Sequence, residues 1–234
     1  MKREDINSIE LDQVSVGFAP GRNVLENVSL KLPMGEVVWL RGHSGSGKSV
    51  LVKILSGLIA ISKGRYLIND RAVNEMDFED FKPYCLNMGY SFDFGGLINN
   101  RTIESNLMLP LDYHSADKPD ENKARVNEYI KLFGLDDVAN ERPFSIVGGL
   151  RKVACVARAF VTEPQMLLLD DPTTGLRAGA IETLRSLIET KRRAGQLKHV
   201  FVATEDERVM KGLNPVVIEV GEKRLKVQSV RGVA

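Results

Sequence analysis

Between an apolar segment and a helical one, the chain reads Gly42-His43-Ser44-Gly45-Ser46-Gly47-Lys48-Ser49. This segment, here called the phosphate loop, fills every fixed position of the phosphate-binding pattern G-x-x-x-x-G-K-[ST]. Its glycines let backbone N–H groups curve around phosphate oxygens at a helix N-terminus, Lys48 reaches the outer phosphates, and the Ser49 hydroxyl ligates a magnesium ion. We therefore expect a bound nucleotide. The His43 side chain occupies a position that accepts any residue, and we expect it to be solvated or locally bonded.

The flanking residues supply the strand and the helix that such a loop requires. Residues 36–40 form a short apolar run typical of a buried strand, and residues 50–57 have helical spacing and end on a glycine. A glycine-rich turn that binds nothing is the alternative, and the strand-to-helix context disfavours it.

The composition is that of an ordinary globular protein and excludes several function classes. Of the 234 residues, 43% are hydrophobic and 27% are charged, and this length allows one large α/β domain or one domain carrying a smaller lobe. The formal net charge of +1 provides no basic field for nucleic acid. No apolar segment approaches the ~20 residues that cross a bilayer, and no secretion signal is evident, so we expect a cytoplasmic location. The two cysteines lack C-x-x-C spacing and are expected to be reduced and packed.

The pattern along the chain predicts an α/β fold with three parts. Alternating residues at 9–16, a turn at 19–22 and a second run to Leu32 predict an N-terminal antiparallel β subdomain. Apolar runs separated by helical spacing predict a P-loop nucleotide-binding core with a mostly parallel central sheet. We expect a single domain over 1–234, in which 1–93 and 161–234 form the core and the antiparallel sheet. An inserted helical lobe is predicted at about 94–160.

A second acidic element narrows the class of nucleotide site. Asp170 ends the apolar run 166–170, where the tip of a buried strand would present its carboxylate to magnesium. Viewed alone, Asp170 could also be a turn residue after a strand, which is the less favoured alternative. The segment from Leu169 to Leu176, however, resembles the second nucleotide motif of ABC transporter ATP-binding subunits, usually L-D-E-P-T-[ST]-G-L-D.

The resemblance to the ABC ATPase family extends from about Leu11 to Met210. Gly148-Gly149 lies where the family carries its L-S-G-G signature at a helix N-terminus, about twenty residues before Asp170. Phe18 lies where family members place an aromatic ring against adenine. Without the family pattern, Phe18 is better interpreted as a core residue of the small N-terminal sheet.

The family resemblance implies cofactors and partners. Two such subunits dimerise head to tail, with ATP between the phosphate loop of one and the signature of the other, and hydrolysis drives a membrane partner. We therefore expect ATP (or ADP) and Mg²⁺, a transmembrane permease subunit, and a second ATP-binding subunit that is identical or different. The resemblance places the chain at the inner face of the cytoplasmic membrane. The segment from Gly89 to Leu111 is similar to the lid loop and transporter-facing segment, closest to subfamilies serving lipid, lipoprotein or cell-division complexes.

Three positions that govern hydrolysis depart from the family pattern. Asp171 replaces the glutamate that orients the attacking water, and it is one methylene shorter. Asp93 replaces the lid-loop glutamine and cannot donate an amide hydrogen. Glu205 replaces the histidine that faces the γ-phosphate, which a carboxylate repels.

Two positions of the subunit interface depart as well. Val147 replaces the serine of the signature and lacks its hydroxyl, although an alternative alignment would use Ser145. Arg177 replaces the aspartate that ends the usual G-L-D.

We predict that nucleotide binding is kept while turnover is weakened or lost. The expected catalytic positions are Asp171 and Glu205, both altered, and the expected metal ligands are Ser49, Asp93 and Asp170. The expected nucleotide contacts are Phe18, Gly42, His43, Ser44, Gly45, Ser46, Gly47, Lys48, Ser49, Val147, Gly148 and Gly149. The first hypothesis is an ATP-binding subunit of an ABC-type membrane transport complex; the second is a non-hydrolysing, nucleotide-gated structural or regulatory subunit. A soluble P-loop kinase is disfavoured by the two ABC-like motifs.

Overall fold

A computed structural model of the chain describes residues 3–19, 21–93 and 96–228. Pro20 of the predicted turn and Phe94, next to Asp93, lie outside the described residues. The strands are β1 (Ile9–Ala19), β2 (Arg22–Lys31), β3 (Val37–Arg41), β4 (Lys63–Ile68), β5 (Arg71–Ala72), β6 (Met88–Ser91), β7 (Met166–Asp170), β8 (His199–Ala203), β9 (Val216–Gly221) and β10 (Arg224–Gln228). The α-helices are α1 (Lys48–Leu55), α2 (Phe78–Cys85), α3 (Ile103–His114), α4 (Pro119–Leu132), α5 (Gly148–Phe160) and α6 (Ala178–Arg193).

The strands form two sheets. A four-stranded antiparallel sheet has the order β2-β1-β4-β5, and a six-stranded sheet has the order β10-β9-β3-β8-β7-β6. In the larger sheet, β9, β3, β8, β7 and β6 run parallel and β10 pairs antiparallel with β9. The predicted fold class, a mostly parallel central sheet with an antiparallel β subdomain, is confirmed.

The three middle strands of the central sheet, β3, β8 and β7, are buried on both faces, which explains why they are continuous apolar runs. Alternate residues of β3 serve different cores: Val38 and Leu40 pack with the antiparallel sheet and α1, whereas Val37 and Trp39 pack with the helices on the other face. Strands β7 and β8 divide their side chains in the same way. The sheet therefore holds the carboxyl ends of its strands rigidly between two apolar layers.

Three helices, α3, α4 and α5, lie between β6 and β7, within the segment predicted as the helical lobe. We keep the division into a core (1–93 and 161–234) and a lobe (94–160) as a prediction. Helix α2 was not anticipated, because Pro83 interrupts its sequence pattern and only Tyr84 of its residues is buried. Its start is set by Asp77, whose side chain accepts a hydrogen bond from the backbone N–H of Asp80.

Neither cysteine forms a disulfide. Cys155 is fully buried in α5 as expected, and Cys85 at the end of α2 is half-buried. Among the described helices, none combines the length and apolar character needed to cross a bilayer.

Candidate functional site

A cavity of about 800 Å³ lies where the parallel strands β3, β7 and β8 end. Its walls come from the phosphate loop, from residues 170–175 after β7 and from residues 203–208 after β8. In open α/β sheets, ligands bind in the crevice outside the carboxyl ends of the strands. Both motifs singled out in the sequence therefore meet at one place.

The phosphate loop can take its shape only with glycine at two of its positions. A Cβ on Gly42 would lie 2.2 Å from the carbonyl oxygen of Val220, and a Cβ on Gly47 would lie 2.8 Å from Val24 Cγ1. Gly47 also has φ of 105° and precedes α1 without a side-chain cap. The first N–H groups of α1 thus remain free for an anion.

Lys48 is held at the loop by backbone carbonyls and by one carboxylate. Its Nζ donates to the carbonyl oxygens of Gly42 and His43, the latter at 2.9 Å, and lies 3.2 Å from Oε1 of Glu205. Glu205 is largely exposed, whereas the Lys48 side chain is largely buried. Glu205, which occupies the position where the family pattern has histidine, therefore lies directly beside Lys48 and carries the opposite charge.

His43 contacts Lys48 through its backbone carbonyl oxygen and not through its ring. Its ring Nδ1 lies 2.7 Å from the carbonyl oxygen of Ser44, and the residue is solvent-accessible.

Ser49 and Asp170, two of the three expected metal ligands, are in direct contact. Ser49 Oγ donates to Asp170 Oδ1 at 2.7 Å, and the other oxygen, Oδ2, is buried without a hydrogen-bond partner. Burial raises the pKa of Asp170, the Ser49 hydrogen bond opposes this, and nearby Asp93 adds to the rise. An orphaned carboxylate oxygen beside a hydroxyl fits Mg²⁺, which binds to few protein ligands and completes its shell with water and phosphate oxygens. The described residues contain no cluster of three or more His, Cys, Asp or Glu side chains suited to a metal.

Asp93 lines the same cavity and is tied to α5 by a buried lysine. Lys152 is 5% exposed, and its Nζ donates to the carbonyl oxygens of Phe92 and Asp93 and lies 3.6 Å from Asp93 Oδ1. Sequence reasoning missed Lys152. The available signal was a lysine followed by the apolar run of α5, at a position where helical spacing predicts burial.

Asp171 is held in an unusual conformation by its neighbours. Its φ of 42° is in the left-handed region, its N–H donates to the carbonyl oxygen of Ala203 at 2.8 Å, and its carboxylate accepts hydrogen bonds from Thr174 and, at 3.4 Å, Thr204. Asp171 lies in the cavity wall beside Asp170. Both carboxylate oxygens are thus engaged by hydroxyl groups of the protein.

A second ion pair lies at the rim of the cavity. Arg208 binds Asp206 through its guanidinium and its backbone N–H, which lowers the pKa of Asp206 to about 2. The turn before it is anchored from the core, because Trp39 Nε1 donates to the carbonyl oxygen of Thr204 at 2.9 Å. Asp206 and Arg208 were missed in the sequence, where nothing but their charge distinguishes them.

The signature segment, Val147 to Gly149, is not brought into this cavity. Val147 is the N-cap of α5 and is largely exposed, and Ser145 lies in a short turn before it, so Val147 rather than Ser145 is at the helix N-terminus. Gly149 abuts the loop after β7: a Cβ there would lie 2.6 Å from the carbonyl oxygen of Gly175. Arg177, after that loop, is the exposed N-cap of α6.

Phe18 is 68% exposed near the end of β1, so its interpretation as a core residue is wrong. It does not line the cavity, whereas Val24 of the neighbouring strand does. Stacking of Phe18 on a nucleotide base stays a prediction.

Comparison with known sequences connects this site to one family. A sequence profile described as ABC transporter matches residues 25–174. The chain is 30% identical to the methionine import ATP-binding protein MetN of Clostridioides difficile (strain 630), over 85% of this chain and 64% of that protein. It is 31% identical to the sulfate/thiosulfate import ATP-binding protein CysA of Synechocystis sp. (strain ATCC 27184 / PCC 6803 / Kazusa), over 90% of this chain and 58% of that protein. The chain thus spans less than two thirds of the length of these two relatives.

One relative and one solved structure match over nearly their whole length. The ABC transporter ATP-binding protein YtrE of Bacillus subtilis (strain 168) is 32% identical, over 85% of this chain and 89% of that protein. The dimeric structure of a post-hydrolysis state of the ATP-binding cassette MJ0796, bound to ADP and Pi, has a TM-score of 0.86 at 27% identity. That match covers 96% of this chain and 99% of the other.

Proposed function

Because the chain belongs to the ABC transporter family, we propose that it is the ATP-binding subunit of a membrane transport complex in which hydrolysis is weakened or lost. ATP or ADP with Mg²⁺ is the cofactor of this family, and the phosphate loop with Ser49 and Asp170 fits it. One observation supports this proposal most strongly. Within one cavity, the groups that bind nucleotide are intact, whereas the residues at the positions that orient the attacking water are altered.

The binding groups act through backbone and charge. The free N–H groups at the start of α1 would hold the phosphates, and Lys48 would exchange its contacts with loop carbonyls and Glu205 for phosphate oxygens. Ser49 and Asp170 would hold magnesium. When bound, the ion would supply positive charge that offsets the negative charge of the phosphates.

The altered groups are poorly placed for turnover. Phosphoryl transfer depends on positioning and electrostatics, and a ~1 Å displacement can cost ~10²-fold in rate. Asp171 is shorter than glutamate, and its carboxylate is occupied by Thr174 and Thr204. Glu205 brings negative charge to the place where the transferred phosphoryl group needs positive charge.

The same family membership supports the proposed partners. The exposed N-terminus of α5 at Val147 and Gly148 is available to the nucleotide of a second ATP-binding subunit, identical or different. We place the contact with a transmembrane permease at the lobe and the segment from Asp93 to Leu111, which brings the chain to the inner face of the cytoplasmic membrane. Both MJ0796 structures are dimeric.

The decisive experiment measures steady-state phosphate release by the subunit purified with its membrane partner. We expect little release above that of the Lys48→Ala variant, together with ATP binding that Lys48→Ala abolishes. A turnover rate typical of active family members that disappears in Lys48→Ala would overturn the impaired hydrolysis and leave the nucleotide-binding role intact. Failure to bind ATP or ADP with magnesium would overturn both.

A second candidate function is a nucleotide-gated structural or regulatory subunit whose ATP state controls assembly rather than pumping. The observation that favours it is the alteration of both the water-positioning and the interface positions, Asp171 and Arg177 among them. The stoichiometry of the native complex separates the two functions. Two copies with retained nucleotide and no turnover indicate assembly control, whereas pairing with an intact ATP-binding subunit indicates one half of a transporter.

A further inference from the structure

A second, smaller cavity lies outside the nucleotide site, where α3 ends and α4 begins. Its volume is about 110 Å³, and its lining is mostly polar. It is bordered by Arg3 near the start of the chain, by His114 and Ser115 at the end of α3, and by residues 118–125 of α4. The space is sufficient for about three water molecules or for one small oxyanion.

Positive charge exceeds negative charge in this lining. Arg3, Lys118 and Arg125 contribute three cations, and Glu121 contributes one carboxylate, which is largely exposed and pairs with Lys118 at 3.0 Å. Outside the cavity, Glu163 is shared between Arg125 and Lys191, with a nitrogen-to-oxygen distance of 3.4 Å in each pair. One carboxylate thus serves two cations, and the positive charge is only partly compensated.

The positive charge of Arg3 is also only partly compensated. Its guanidinium donates to the carbonyl oxygens of Thr162 and Glu163, at 2.6 and 3.0 Å. Burial lowers the pKa of Arg3, and the nearby positive charge of Arg125 lowers it further. Two guanidinium groups that disfavour one another are therefore held on one side of the cavity, as in sites that bind anions.

His114 adds an unsatisfied group. Its Nδ1 is buried without a hydrogen-bond partner, although an imidazole nitrogen usually finds one when buried. His114 lines the cavity, and either nitrogen of a neutral imidazole can carry the proton, so the ring can donate a hydrogen bond to an anion there.

The remaining wall is fixed before any ligand arrives. Asn122 is buried, and its side chain donates to the carbonyl oxygen of Ser115 at 2.7 Å and accepts from Ser115 Oγ at 3.0 Å. Helix α4 begins at Pro119 without a side-chain cap, so its positive end also faces this turn. A rigid, cation-rich wall needs little reorganisation to bind.

We propose that this cavity is a binding site for a phosphate group, held by Arg3, Lys118, Arg125 and His114 and independent of the nucleotide site. Phosphate suits it because guanidinium and ammonium groups donate charge-assisted hydrogen bonds to phosphate oxygens and because two negative charges balance the excess of cations.

The test uses the three histidine rings of the full-length protein as separate reporters in an NMR titration with inorganic phosphate. His114 lines the proposed site, His43 lies in the phosphate loop, and buried His199 lies at neither place. His114→Gln assigns the resonance. We expect the His114 signal to shift saturably, with a dissociation constant on the order of 1 mM at low ionic strength. A shift confined to His43, or a His114 shift that sodium chloride reproduces at matched ionic strength, would overturn the site.

Variants of α4 provide the matched comparison. Lys118→Gln should weaken phosphate binding at His114 about tenfold, the effect of losing one charge-assisted hydrogen bond. Arg125→Gln should do the same, but Arg125 also contacts Glu163, so the exposed Lys118 is the safer variant for folding. Lys123→Gln removes an exposed charge from the same helix outside the cavity and should leave affinity within about twofold. Equal weakening by Lys118→Gln and Lys123→Gln would mean general screening and no site.

The phosphate group could belong to a free anion or to a lipid headgroup. Sedimentation with phosphatidic acid vesicles, compared with phosphatidylcholine vesicles, distinguishes these sources. Saturation by inorganic phosphate identifies a free-anion site, and vesicle binding that Lys118→Gln weakens, without an effect of inorganic phosphate, identifies a lipid phosphate. Absence of both responses would overturn the proposal.

Discussion

At the scale of single residues, the ion pair between Lys48 and Glu205 is the clearest departure from a site built for triphosphate. The carboxylate lies 3.2 Å from the ammonium that the outer phosphates would use. A phosphate group that binds Lys48 must therefore either displace the Glu205 carboxylate or lie close to its negative charge. The cost is moderate, because Glu205 is 60% exposed and can swing into solvent.

Glu205→Gln should strengthen ATP binding more than ADP binding. Removing a negative charge about 4 Å from a phosphate is worth roughly 1 kcal/mol in water and about 4 kcal/mol near a protein surface, and Glu205 is largely exposed, so we expect about a tenfold gain for ATP. Isothermal titration calorimetry with each nucleotide and magnesium measures the effect. The control is Glu207→Gln, which removes an exposed carboxylate two residues away that does not line the cavity. An equal gain for ATP and ADP would argue against contact with the γ-phosphate.

Asp171→Glu should raise phosphate release. The added methylene extends the carboxylate beyond Thr174 and Thr204 by about 1 Å, and the gain should be about tenfold or more if water positioning limits the rate. Asp171→Asn keeps the shorter length without the charge and should show no gain. The rate is followed in the complex with its membrane partner, and an unchanged rate in Asp171→Glu would show that another altered position limits turnover.

At the scale of elements, α5 begins at the signature segment and contacts both the loop after β7 and the residues Phe92 and Asp93 after β6. Its first turn abuts Gly175 through Gly149, and Lys152, one turn further, holds the carbonyl oxygens of Phe92 and Asp93. Close contacts therefore link this helix to both neighbours. The buried lysine is compensated by the two carbonyl oxygens and by the Asp93 carboxylate 3.6 Å away.

Gly149→Ala should destabilise the protein, whereas Gly148→Ala should not. The new Cβ at 149 would meet the Gly175 oxygen at 2.6 Å, and overpacking against backbone costs about 1 to 3 kcal/mol. At 148 the nearest atom is a flexible arginine nitrogen 4.0 Å away, and alanine favours the helix. Thermal unfolding of both variants measures the difference. Equal melting temperatures would mean that the loop after β7 yields to the added methyl group.

At the scale of the whole molecule, His199 joins distant parts of the chain. Its Nδ1 accepts from the backbone N–H of Gly35 and its Nε2 lies 2.8 Å from the carbonyl oxygen of Ile6, so the N-terminal segment and the turn before β3 are both tied to β8. These two bonds require the neutral ring. Burial is the main cause that lowers the pKa of His199.

The sign of the resulting pH dependence follows from linkage. A lowered pKa in the folded state means that the contribution of His199 to stability is complete above its unfolded pKa of about 6.5 and is lost as pH falls below it. Urea unfolding should therefore show a smaller loss of stability between neutral and mildly acidic pH in His199→Gln than in the parent. His43→Gln, which changes an accessible ring, is the control, and identical pH dependence in all three proteins would contradict the role of His199.

Much of the fold was predictable because local patterns and tertiary packing agree. Strand β3, the phosphate loop and α1 follow from apolar runs, glycines and helical spacing, and Gly42 and Gly47 are required by backbone contacts as the pattern implies. Helix α2 was missed because Pro83 lies inside it, and proline usually kinks or breaks a helix; only Tyr84 of its residues is buried.

The sequence by itself determined the nucleotide loop, the acidic strand end at Asp170 and the family, since each depends on residue types at short fixed spacings. The tertiary structure alone decided that Glu205 faces Lys48, that Lys152 is buried against the lid loop, and that cations from Arg3 and α4 share one cavity. These groups lie far apart along the chain. Only the packing of helices and loops on the buried sheet brings their charges within interacting distance, and no local pattern encodes that distance.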